Sequence, residues 1–311
     1  MRIEKAVVQD RYGFDLHVEM YRPKDLPEAV IQLVHGLGEH AGRYREFAST
    51  LCEAGYFVFV HDQHGHGKSA LYDDRIHIAD ADGETLLIEG VRVVRERVRN
   101  EFPQLPMVAI GHSMGAFVLR ALMFEHKDLY DGVVLIGSGI VPAHRLLIAS
   151  RIARWIRRVK GPQHLSPFFT RFMHEKPIRS MQKDGLIEQR HEWTTSDTDK
   201  QREYLDDPMT GRSPTIATQL ALINMLMKAQ NRRAARINHT DHLVALLCGD
   251  EDALCEYGVG LKRLYHFFQH AGFTNARFRV YANARHELLN ERSRQNIYID
   301  IFTLVRTAAK P

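Results

Sequence analysis

Cysteine is scarce in this 311-residue chain: Cys52, Cys248 and Cys255 are the only three, an odd number with no spacing suited to a metal. A disulfide framework and a cysteine zinc site are therefore both excluded, and a reducing, cytoplasmic setting is expected. Long apolar runs are lacking too. No stretch reaches the roughly 18 apolar residues of a membrane-spanning helix. The first ten residues mix Arg2, Glu4 and Lys5 with apolar ones, so no secretory leader is expected and membrane contact would be peripheral. Charge of one sign is not in excess: a net +4 gives no reason to expect a nucleic-acid partner. There is no internal repeat and no low-complexity segment.

What is present is ordinary globular material, 44% apolar and 26% charged, enough for a large core and unlike a disordered chain. Short β-rich runs alternate with helical patterns, which predicts an α/β fold with a mostly parallel central sheet and helices on both faces. Strands are expected at Asp15–Arg22, Ala29–His35, Tyr56–Asp62, Met107–Gly111, Gly132–Ile136, His242–Cys248 and Arg277–Tyr281. Most are continuous apolar runs, as a sheet covered on both sides requires. Helices are expected at Tyr44–Ala54, Glu84–Glu101, Met114–His126, Tyr257–Ala271 and Glu291–Ala308, the last behind a capping Asn290. Between residues 140 and 240 the alternation stops. The expectation is a catalytic core of residues 1–139 and 241–311, interrupted by a helical cap at 140–240.

The sharpest motif is Gly111-His112-Ser113-Met114-Gly115, a GxSxG lying after an apolar strand and before a helix. A nucleophilic serine needs that setting: a tight strand-to-helix turn exposes the hydroxyl, flanking glycines remove Cβ clashes, and the helix N-terminus supplies amide donors. Serine also needs a base, and the base an acceptor that fixes its tautomer. In the α/β-hydrolase fold the chain order is Ser, acid, His. His286 follows the Arg277–Tyr281 strand, and Asp250, Glu251 and Asp252 follow the strand before it, with Asp252 the preferred acid. The turn after the first parallel strand, His35-Gly36-Leu37-Gly38, stands where this fold takes its second oxyanion donor, so the amides of Leu37 and Met114 are the expected pair. No cofactor is needed.

With these residues in place, the chain resembles the monoacylglycerol lipase and lysophospholipase-like (serine aminopeptidase S33-type) branch of the α/β-hydrolases. The resemblance rests on His35–His40 with Gly42–Tyr44, on Asp62–Ser69, on Gly111–Gly115, on Gly249–Cys255 and on Arg285–Glu287. It implies an α/β-hydrolase fold with a helical cap, Asp252 as the acid, a lipid or other small ester as substrate, and Glu39, Arg43 and His112 near the substrate's polar end or behind it as scaffolding. Gln63 departs from the family's usual arginine, and the cap matches only at Asp206-Asp207-Pro208, so head-group preference does not carry over.

Three other readings compete. A proline-type peptidase shares the fold, and a catalytically silent binding module is open to any fold. A metal hydrolase would start from His61, His64 and His66, but no Asp follows at metal-ligand spacing within that loop and Lys68 opposes a cation. Ser113 in place of an aspartate argues against dehalogenase or epoxide hydrolase chemistry. Finally, residues 145–160 carry Arg145, Arg151, Arg154, Arg157, Arg158 and Lys160 with no acid, and Ile148, Ile152, Trp155 and Val159 share a helical face. That face either closes over an acyl-binding cleft, the favoured reading, or makes transient contact with a membrane surface.

Overall fold

The computed structural model describes residues 1–310, with the side chains of residues 172–176 outside that description. Its strands are β1 (Arg2–Gln9), β2 (Asp15–Arg22), β3 (Val30–Val34), β4 (Phe57–His61), β5 (Arg75–Ile76), β6 (Met107–His112), β7 (Gly132–Ile136), β8 (Ser213–Pro214), β9 (Leu243–Gly249) and β10 (Ala276–Tyr281). Eight of them form one sheet in the order β1-β2-β4-β3-β6-β7-β9-β10, while β5 and β8 make a separate two-residue ladder. Strand β2 runs antiparallel to β1 and β4, and the pairs from β4 through β10 are parallel.

The helices are α1 (Arg45–Glu53), α2 (Gly83–Glu101), α3 (Met114–Glu125), α4 (Ala143–Lys160), α5 (Pro167–Lys183), α6 (Thr198–Asp206), α7 (Ile216–Lys228), α8 (Arg232–Ile237), α9 (Val259–Ala271) and α10 (Arg294–Ala308). Alternation along the buried strands divides the core into two layers. Val30, Val34, Phe57 and Phe59 face α2, α3 and α9 in one cluster. Ile31, Leu33, Val58 and Val60 face α1 and α10 in the other. Full burial of each such side chain contributes about 1.5–3 kcal/mol, so the two layers supply the main drive for folding.

Strand β1 was not expected. Its residues alternate between exposed and half-buried, and charged Arg2, Glu4 and Lys5 dilute its apolar signal. It is an edge strand, where charge is the usual guard against pairing with other chains. The turn into β2 is tied by Asp10, whose Oδ1 accepts from the amides of Tyr12 and Phe14 at 2.8 and 2.9 Å. Two helix starts also move. Glu256, Tyr257 and Gly258 all have positive φ, so α9 begins at Val259 and not at Tyr257. Asn290 ends a 3-10 turn, Leu288–Asn290, and α10 starts at Arg294 with no side-chain cap.

Residues between β7 and β9 fold into α4 to α8. Here α4 departs in part from the favoured sequence reading. The face packed inward against α7 is Leu146, Ala149, Ala153 and Ile156, whose small alanines let the two helices approach closely. Ile148, Trp155 and Val159 point outward at 50%, 66% and 57% exposure. Ile152, the fourth residue of the expected face, is partly buried against the inner cluster, so that face is split between one packed and three exposed residues.

Candidate active site

All the chemistry-bearing residues singled out above lie at or just beyond the carboxyl ends of parallel strands, where open α/β sheets place their ligands. Strand β6 ends at His112, and Ser113 follows with φ 50° and ψ −115°, a left-handed geometry that a serine adopts only where its surroundings impose it. Gly115 shows what imposes it: a Cβ there would stand 2.1 Å from the Val34 carbonyl oxygen. The first turn of α3 is thus pressed onto the end of β3. At Gly36, a Cβ would lie 3.2 Å from Ser113 Cβ, so the chain that carries Leu37 passes directly beside the serine. The Ser113 amide itself donates to Ile136 O at 2.9 Å, tying the turn to β7.

His286 is buried, and its Nδ1 stands 2.9 Å from Asp252 Oδ2. Asp252 is fully buried, and its other oxygen accepts from the amides of Leu254 and Cys255 at 2.9 and 3.2 Å. Burial opposes its ionisation, but the His286 ring and these donors outweigh burial and hold the carboxyl below its usual range. Of the three neighbouring acids, Asp252 alone meets the imidazole. Asp250 is exposed, and Glu251 pairs with Arg285 at 3.4 Å. Gly137 packs under the ring, where a Cβ would come within 2.9 Å of His286 Cε1. Because Gly137 directly follows Ile136, the serine and the histidine share the β7 end as a floor.

Behind Ser113 lies a buried charged network. Glu39 Oε1 accepts from the Gly36 amide at 2.5 Å, from Tyr44 Oη at 2.9 Å and from His112 Nδ1 at 2.7 Å. Arg43 donates to Glu39 at 3.2 Å and grips Glu287 with two bonds of 2.8 and 2.7 Å. Burial disfavours every one of these charges, yet His112 and Arg43 hold the Glu39 carboxyl well below its normal range, and Glu39 in turn raises His112. Glu39 and Arg43 thus spend their charges on partners within the protein. Glu287 and Tyr204, whose ring lies 4.9 Å from the Arg43 guanidinium, complete this network. Glu287 stood in a recognised stretch without an assigned role, and Tyr204 sits in the insertion, where no local pattern marks it.

His61, His64 and His66 do not converge. His64 Nε2 lies 2.9 Å from Asp10 Oδ2, and His66 Nδ1 donates to the His64 carbonyl at 3.0 Å. Among the described residues, no group of three or more His, Cys, Asp or Glu is placed to hold a metal ion.

Sheet order, layered helices and a strained serine turn at the strand ends together define an α/β-hydrolase. The model of the family described as serine aminopeptidase, S33, matches residues 25–293, and the chain belongs to that family. It is 26% identical over 289 residues to a monoacylglycerol lipase of Mycolicibacterium smegmatis, covering 93% of this chain and 92% of that one. It is 25% identical over 287 residues to a monoglyceride lipase homolog of monkeypox virus, covering 89% and 88%. A thermostable carboxyl esterase from Bacillus coagulans, solved in complex with glycerol, has the same fold over the whole of both chains, at TM-score 0.88 and 22% identity.

Proposed function

We propose that this protein is a serine carboxylic ester hydrolase acting on monoacylglycerol or lysophospholipid-like substrates. The observation that carries the reading is the pairing of a strained Ser113 turn with a buried His286–Asp252 hydrogen bond over one glycine floor. Ser113 attacks the ester carbonyl as His286 takes its proton, and Asp252 keeps the imidazole in the tautomer with Nδ1 protonated. The oxyanion that forms is met by the amides of Leu37 and Met114. His286 then protonates the departing alcohol and later activates the water that frees the acyl-enzyme. Glu39, Arg43 and His112 hold the serine turn from behind, with Gly36 as the link. The lipid class follows from the names of the full-length relatives.

The test is a fluorophosphonate probe followed by a matched panel of p-nitrophenyl esters of increasing length, a monoacylglycerol, a lysophospholipid and a proline anilide. Labelling at Ser113 and serine-dependent turnover of the lipid esters are expected. Turnover confined to the anilide would support the peptidase that shares this family, and an unlabelled serine would leave a binding module.

Residues 140–240 serve in this reading as a cap that also meets the lipid surface. The outward face of α4 sets Leu147, Ile148, Trp155 and Val159 among exposed Arg151, Arg154 and Arg158, the composition of a helix that lies on anionic lipid. Among the described residues no helix is long and apolar enough to cross a membrane. Co-sedimentation with vesicles containing phosphatidylserine is expected, and a Trp155→Ser, Arg158→Ser double variant should lose most of it. Equal binding to neutral vesicles, or no loss in the variant, would remove α4 from this role.

A further inference from the structure

The residues on either side of His286 both reach back to one segment of the insertion. Arg285 donates from Nη1 to the carbonyls of Glu192 and Thr195 at 2.7 and 3.2 Å, and from Nη2 to that of Leu186 at 2.6 Å. The Glu287 amide donates to Thr194 O at 2.7 Å. Further along, fully buried Glu291 accepts from the Ser196 hydroxyl at 2.5 Å and from the Arg285 amide at 2.8 Å. Thr195 Oγ1 donates to Asn290 O at 2.9 Å. The strap from Leu186 to Ser196 is thus laced to the loop that carries the histidine, from both sides of it.

This lacing sets Trp193 against His286, with ring centroids 4.9 Å apart and planes inclined by 34°. The indole also joins an apolar cluster with Ile178, Met181, Ile187 and Ala253, and Ala253 is the residue after Asp252. One side chain of the strap therefore lies against the histidine and packs into a cluster that includes the neighbour of Asp252. An indole face attracts a cation through its quadrupole, which an aliphatic side chain of similar bulk does not do. It also limits the ways a neighbouring flat ring can turn.

We infer that Trp193 is a positioning residue for His286, steadying the imidazole on Asp252 and favouring the imidazolium that forms when Ser113 gives up its proton. The insertion thereby acts on the proton transfer itself as well as covering the site. This rests on His286 being the base, as proposed above.

Two measurements decide it. In ester hydrolysis, Trp193→Leu is expected to lower kcat about tenfold with KM changed less than twofold, while Trp193→Phe, which keeps a π face, recovers most of the rate. The chain has two tryptophans, so in a Trp155→Phe background Trp193 is the sole indole. At constant pH its emission should change when His286→Gln is added, because the ring that lies against the indole is then gone. Emission unchanged by His286→Gln, or a Trp193→Leu enzyme with unchanged kcat, overturns the inference. If no ester is turned over at all, the fluorescence arm still decides whether Trp193 senses His286, so failure of the functional reading is distinguishable from failure of this one.

Discussion

Ser113→Ala is expected to lower kcat for ester hydrolysis by about a million-fold, the scale seen when a nucleophile that acts as one unit with its base is removed. Asp252→Asn should cost about ten-thousand-fold. The reason lies in the two jobs of the Asp252 carboxylate. One oxygen holds the amides of Leu254 and Cys255, which an asparagine oxygen can still do. The other accepts from His286 Nδ1, and an asparagine NH2 placed there is a donor. The imidazole must then present an unprotonated Nδ1 to it, which leaves Nε2 protonated and unable to take the serine proton. Asp250→Asn, at an exposed position, should leave kcat within about twofold, as surface changes usually do. A severe loss at Asp250 with a mild one at Asp252 would transfer the acid's role, and steady-state kinetics on one p-nitrophenyl ester suffices to tell.

Acid is expected to unfold this protein earlier than its carboxylates alone would require. His35 and His66 are buried beyond the carboxyl ends of the inner strands β3 and β4, and burial pushes their pKa values down to about 4 and about 3. Geometry gives the same direction. His35 Nδ1 donates to Gly36 O, and its Nε2 accepts from the Gln63 amide at 2.9 Å, so a second proton would break the latter bond. His66 Nε2 is buried without a partner among the described residues. Near pH 7.5 both are neutral in either state and stability is unaffected. As pH falls below about 6.5 the unfolded chain binds protons that the folded one refuses, so stability declines until the folded pKa values are reached. Between pH 7.5 and 5.0 the two together should remove about 4 kcal/mol of unfolding free energy. His66→Asn keeps a donor for the His64 carbonyl without a titrating ring, and should recover about half of that loss. Urea titrations at the two pH values measure it directly. A flat profile would mean that these rings become charged in place.

Much of the site could be read from local pattern, because each key residue sits beside a strand whose apolar run is unmistakable. Ser113, Asp252 and His286 were named from strand ends and chain order, and the structure puts each just past the end of a parallel strand, with Asp252 hydrogen-bonded to His286. Strand β1 escaped notice because an exposed edge strand carries charge in place of an apolar signature. The α4 helix was read only in part: of the expected face, Ile152 packs inward beside smaller residues, while the larger Ile148, Trp155 and Val159 stay exposed. Close packing against α7 selected the smaller ones.

The same contrast divides the chemistry. That a serine, an acid and a histidine would stand at the carboxyl ends of strands in one sheet follows from backbone rules that act within a few residues, such as glycine at a tight turn and an apolar strand leading into a polar loop. Which acid meets the imidazole, which charges Arg43 neutralises and which ring lies against His286 depend on contacts between segments far apart in the chain. Arg43 meets Glu287 and Trp193 meets His286. Such contacts leave no periodicity behind, since the strength of a buried ion pair or a ring contact depends on distance and desolvation, and both exist only once the sheet and its insertion have closed around them.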